Sequence, residues 1–289
     1  MPAGGRSLLM RVLLSKSSCW AVLVVVLAAT AAAQDPPPPS LDRGYRLMYN
    51  LDFSGAQHEF EEWQRVHEGD PLGPASEAAG LLFSEFQRLH VLESKFFTND
   101  DEFRKRQKLE PDAQLKARFE AKLMAAQILA RSVLARDPKD QNALFTMALV
   151  AGLRADYLAL IENRNLASLD YTKEGARWGR ELLAIAPEFY DAYLATGIGK
   201  YLVGLQPAPV RWFLRLGGHA GDKSAGVREL TLCAERGRYL APFARLLLAI
   251  AYLRDHDPTR ARVLLASLHD DFPANPLFAR ELARLGAGQ

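Results

Sequence analysis

Cysteine is nearly absent from this chain. Only Cys19 and Cys233 stand among 289 residues. Cys19 falls in an N-terminal leader, so the mature chain is expected to form no intramolecular disulfide even in an oxidising compartment. No Asn-x-Ser/Thr sequon occurs, which fits a bacterial envelope better than a eukaryotic secretory route. Period-two alternation is missing as well, which argues against sheet. The six histidines (His58, His67, His90, His219, His256 and His269) form no HExxH and no i, i+4 pair, so no metal site is expected. There is no Gly-x-Ser-x-Gly, and the glycine-rich Leu216–Gly221 lacks the Gly-Lys-Ser/Thr ending of a phosphate loop. Adjacent carboxylates such as Glu61-Glu62 and Asp100-Asp101 diverge on a helix or face solvent. Function has to be argued from a site. With none assembled, the chain reads as noncatalytic, without cofactor or metal.

A large excess of one charge is lacking too. The chain has 36 basic and 34 acidic residues, and Arg6, Arg11 and Lys16 belong to the leader, leaving 33 against 34. That balance removes the electrostatic motive for nucleic-acid binding. The leader spans residues 1–33: a basic stretch without acids, an apolar run from Cys19 to Ala33, and Ala31-Ala32-Ala33 before Gln34. These are the parts of a secretory signal peptide. The run, about 15 residues, falls short of the roughly 20 that cross a bilayer. No later run is expected to approach that length, so the product reads as exported, periplasmic or secreted in a bacterium. Residues 34–40, QDPPPPS, read as a stiff tether in extended polyproline conformation.

From Leu41 onward, apolar residues recur at three and four while Pro and Gly fall at segment ends, the signature of helices. Five antiparallel pairs are expected: about 41–51 with 54–67, 75–96 with 113–136, 140–162 with 170–185, 189–205 with 222–236, and 240–254 with 258–271. A closing helix at about 275–285 carries Phe278, Leu282 and Leu285 on one face. Ser54-Gly55-Ala56-Gln57 has the form of a capping box. Asp257-Pro258 and Asn275-Pro276 place capping side chains before a proline at the first helical position.

Within the second helices a pattern recurs five times: a small residue, an apolar or small one four later, and another at seven. The triplets are Ala56, Phe60, Trp63; Ala126, Ala130, Val133; Gly175, Gly179, Leu182; Gly226, Leu230, Cys233; and Ala261, Leu265, Leu268. Pro138, Pro187 and Pro273 follow twelve residues after the small one. A small residue at a helix crossing lets the axes approach, its partners fill the seam, and the proline ends the helix. The unit Ala249–Pro273 resembles a tetratricopeptide repeat, with Ala249, Tyr252, Ala261, Leu265, Leu268 and Pro273 at that motif's usual positions. The recurring small residues lie 70, 49, 51 and 35 apart, against the family period of about 34. The excess sits in long first helices and in the inserts Phe97–Pro111, Asn163–Leu169 and Gln206–Gly221. The resemblance implies an all-α, right-handed superhelical solenoid of about five hairpins plus a C-terminal capping helix over residues 41–289. It also implies a concave face that binds peptides or proteins.

First helices should line such a groove. Tyr157, Asn163, Arg164, Lys200, Tyr201 and Arg254, near their C-terminal ends, are therefore the candidate partner-binding residues. Trp212 and Phe213 stand between Arg211 and Arg215 in the insert 207–218. Either they fold back into the solenoid groove or brace neighbouring pairs, since large exposed apolar patches are uncommon. Or they are the other candidates, as a partner-binding wedge or an interfacial anchor. The reading is an exported scaffold that binds a protein or peptide in the cell envelope. The second reading is a peripheral membrane or lipid-associated helper using that aromatic–arginine insert.

Overall fold

The computed structural model describes residues 37–92, 109–204 and 222–287. The leader 1–33, residues 34–36 of the tether, most of Phe97–Pro111, and the insert holding Trp212 and Phe213 lie outside the described residues. Chain contacts separate Met1–Pro38 from Pro39–Gln289, and every described helix belongs to the second unit.

Eleven α-helices occur among the described residues: α1 Leu41–Tyr49, α2 Phe53–Val66, α3 Leu72–Arg88, α4 Ala113–Arg136, α5 Gln141–Asp156, α6 Asn165–Ile185, α7 Ala192–Gly204, α8 Lys223–Arg236, α9 Ala241–Arg254, α10 Pro258–Asp271 and α11 Pro276–Ala287. A π-helical turn, Tyr157–Ile161, continues α5. Each helix packs on the next in chain order, and the described residues contain no strand. The fold is all-α, in five sequential hairpins and a closing helix, as an α-solenoid would be.

Aspartate is the N-cap of five of the eleven described helices. Asp52, Asp112, Asp140, Asp222 and Asp257 each accept a backbone N–H from the third residue on, at 2.7–3.0 Å, satisfying donors that a helix N-terminus leaves open. The expected capping box at Ser54 is corrected by this. Asp52 caps α2 through Gly55 N–H, and the Ser54 hydroxyl donates to the same carboxylate at 3.0 Å. An ionised carboxylate is the stronger acceptor, so the helix begins earlier. The insert at Asn163–Leu169 also shrinks, because α6 already starts at Asn165.

All five small residues of the repeated triplets are buried, as are their partners four residues on. Gly226 shows why size matters there. A methyl group on it would lie 2.6 Å from Tyr201 N and 2.8 Å from Gly197 O, both backbone atoms of α7 that cannot swing aside.

The first helices turn inward and meet one another. α1 packs on α3, α3 on α5 and α5 on α7. α1 also reaches the far end of the chain. The Tyr49 hydroxyl donates to Tyr239 O at 3.0 Å, Asn275 Nδ2 donates to Tyr49 O at 2.9 Å, and Ala274 N donates to Asn50 Oδ1 at 3.2 Å. The rings of Tyr45 and Tyr239 are 4.9 Å apart, Tyr49 and Phe272 5.4 Å, and Phe83 and Phe243 5.4 Å. The inner face expected to hold a partner is thus filled by α1 and an aromatic interior. The expected cap at Asn275 takes part, since its side-chain oxygen also accepts Leu277 N–H at 2.9 Å.

The crossing of α7 and α8 gives a direct test. Gly226→Ala should destabilise the protein by about 1–3 kcal/mol, the cost of overpacking against atoms that cannot yield, seen as a lower midpoint in denaturant unfolding.

Candidate functional site

Helix α5 with its π turn, Gln141–Ile161, is 21 residues long and apolar enough to cross a membrane by length and composition. The expectation that nothing after the leader reaches such length is therefore corrected. The cause is position. α5 is enclosed by α3, α4, α6 and α7 and 67% of its apolar window is buried, and a helix surrounded on all sides is apolar all round. Its only charged residues are Arg154 and Asp156, near its C-terminal end, and each opens onto a different recess.

The first recess is a polar cleft of about 550 Å³ between α4, α5 and α6. The π turn shapes it: Glu162 N donates to Tyr157 O at 3.2 Å, a five-residue step that shifts the register of the helix. Asn163 then takes a left-handed backbone, φ 56°, which brings the chain into α6 within three residues. Lys116 Nζ lies 2.6 Å from Glu162 Oε1, Arg164 Nη1 3.3 Å from Glu162 Oε2, and Arg154 Nη2 3.9 Å from Glu120 Oε2. Burial would raise the Glu162 carboxyl, but Lys116 and Arg164 outweigh it and hold the group below the usual range. Tyr157 is 2% exposed, stacks on Phe119 at 5.2 Å and lies under Lys116 at 5.5 Å. Its hydroxyl is buried without a hydrogen-bond partner among the described residues. Burial, with nearby Glu162, pushes that phenol up, so it stays a neutral donor.

The second recess is an apolar cavity of about 70 Å³ on the inner face, between α1, α3, α5, α7 and α9. Phe145, Leu149 and Gly152 run along one face of α5 into it, and Asp156 ends the stripe. Asp156 keeps partial solvent contact at the mouth, yet packed protein surrounds it, and burial raises its carboxyl to about 7. No side-chain hydrogen bond or cation accompanies it among the described residues. The contrast is Asp191, which lines the same cavity. Its carboxylate accepts from Arg238 N, Tyr239 N and Leu240 N at 2.7–3.0 Å. It thereby caps α9, whose own N-cap residue Leu240 has no capping side chain.

The residues expected from the sequence to bind a partner do not form one site. Tyr157 and Arg164 line the polar cleft with Asn163 at its turn. Lys200 pairs with Glu229 of α8, the Tyr201 backbone packs against Gly226, and Arg254 ends α9. Trp212 and Phe213 lie outside the described residues. Lys116, Glu162 and Asp156 were not anticipated. For Asp156 a signal existed: a carboxylate at the position one turn after Gly152 in an otherwise apolar stripe.

Asp156 predicts a pH effect. A carboxyl raised from 3.8 to about 7 holds its proton more tightly folded than unfolded, so the native state loses stability as pH rises across that range. Asp156→Asn removes this loss. The variant should melt higher than wild type at pH 8, with the difference shrinking as pH falls through about 7 and vanishing near pH 4, in thermal unfolding across that range. No protein-family model matches the chain, and no curated protein gives a significant match.

Proposed function

We propose that this protein is a noncatalytic, exported member of the tetratricopeptide-like solenoids. In this reading its hairpins follow a right-handed superhelix, and it binds a protein or peptide partner in the bacterial envelope at the cleft between α4, α5 and α6. The observation that carries the reading is the Tyr157 hydroxyl. A buried, unpaired hydroxyl costs about 1–3 kcal/mol. Tyr157 lines the roomy cleft with Lys116, Arg154 and Arg164, and a carbonyl or carboxylate oxygen bound there would satisfy that hydroxyl. A π turn is a rare irregularity and is frequent at functional sites. The inner groove, filled by α1, offers no comparable opening for a chain. The leader supports export.

Tyr157→Phe separates this from a packing role, because the phenyl ring keeps its stack on Phe119. Removing an unpaired hydroxyl should leave the isolated protein as stable or more so, yet weaken partner binding roughly ten-fold. A photo-crosslinker at position 164 should capture the partner in cells, and one at exposed Val263 on α10 should not. Equal capture at both positions, or unchanged affinity in Tyr157→Phe, would refute the assignment. The purified envelope form should begin at Gln34 by mass.

A further inference from the structure

The apolar cavity carries an inference independent of the polar cleft. Asp191 receives three backbone N–H groups, Tyr49 donates to Tyr239 O, and the Tyr45 hydroxyl receives Ser76 Oγ at 3.2 Å. These and Asp156 are the titratable groups lining the cavity, and no lysine, arginine or histidine lines it among the described residues. Asp156 alone of the four has no partner among the described residues. One turn earlier stands Gly152, where an added methyl group would meet nothing within 4 Å. Neighbouring atoms therefore do not require glycine there, although glycine weakens a helix interior. The space it leaves open adjoins the Asp156 carboxylate. The half-buried residues of the lining, Gly152, Asp156, Thr172, Ala195, Ile198 and Phe243, form the mouth, and buried side chains such as Phe145 and Leu149 form the floor. Five aromatic rings, Tyr45, Tyr49, Phe83, Phe145 and Phe243, also face the cavity, and aromatic faces attract cations in a desolvated setting.

We propose that this cavity binds an alkylammonium ion, a short aliphatic primary amine either free or as a lysine side chain, with the ammonium on Asp156 and the chain against the aromatic lining. The ligand supplies the counter-charge that the fold omits, and the small volume limits its buried part to a short chain. The raised carboxyl adds a signature. Ammonium affinity should climb as pH passes through about 7 and Asp156 ionises. Burial raises the Asp191 carboxyl too, but its oxygens are held by three backbone donors, and the tyrosines stay neutral.

Calorimetric titration of the mature chain at about pH 8 tests this with n-butylammonium, butanol and butyrate as probes. Butylammonium should bind, the other two should not, and Asp156→Asn should weaken it roughly ten-fold or more. Gly152→Leu, which fills the mouth and keeps the carboxylate, should also abolish binding, and it serves as the test if Asp156→Asn fails to fold. Nα-acetyl-lysine methylamide distinguishes the sources. Binding comparable to butylammonium assigns a lysine side chain, and weaker binding assigns a free amine. Butanol or butyrate binding as tightly as butylammonium, an unchanged affinity in both variants, or no binding of any probe at millimolar concentration would overturn the proposal. None of these outcomes bears on Tyr157.

Discussion

The seat of α1 against the far end of the chain is the constraint on which the interior depends. Sequential hairpins need only their neighbours, yet here α1 contacts residues 190 to 226 positions away through Tyr49. Its contacts differ in weight. Arg238 clasps Asp42 with both nitrogens, at 2.8 and 2.7 Å, and its hydrogen bond holds the Asp42 carboxyl below the usual range. Both side chains are at least half exposed, so the pair is worth at most about 1 kcal/mol. The rings of Tyr45, Tyr49, Phe83, Tyr239 and Phe272 are buried, and burying a large apolar side chain contributes about 1.5–3 kcal/mol each. The rings hold α1, and the ion pair orients its first turn.

Closure of this kind changes where binding can occur. Had α1 lain outside, the inner faces of α3, α5, α7 and α9 would form an apolar channel open to a partner. With α1 seated, they form an interior, and their apolar character is explained by each other. Two of the openings that remain among the described residues lie at the end of α5, where the π turn interrupts the helix and the chain must leave the core. That is also where polar side chains can enter without losing solvent altogether.

Much of the fold was legible because the signals are local. A small residue with partners at four and seven reports a crossing inside one hairpin. Caps at Asp257 and Asn275 report a boundary within a few residues. The Ser54 box misled because Asp52, two residues earlier, competes for the same N–H groups and accepts more strongly. The seat of α1 was not legible, since nothing in periodicity couples Tyr49 to Tyr239. For the same reason the candidate residues chosen by helix position scattered: Lys200 turned to Glu229 in its own hairpin, and Tyr157 turned to Phe119 on α4. Which face a helix-end residue joins depends on neighbours far away in sequence.

The two charges of α5 show how little local sequence says about electrostatics. Arg154 and Asp156 are two residues apart, so they project from different faces of the helix. Arg154 meets Glu120 and the Tyr171 ring, at 5.6 Å, and retains solvent. Asp156 meets aromatic and aliphatic walls. A lone carboxylate in such surroundings either stays protonated or waits for a cation, because desolvating an unpaired charge costs more than an isolated hydrogen bond returns. An apolar residue would have filled the stripe from Phe145 through Leu149 without that penalty, and alanine at Gly152 would have strengthened the helix. Two stabilising choices forgone on the same face, one turn apart, point to a pocket kept open rather than to imperfect packing.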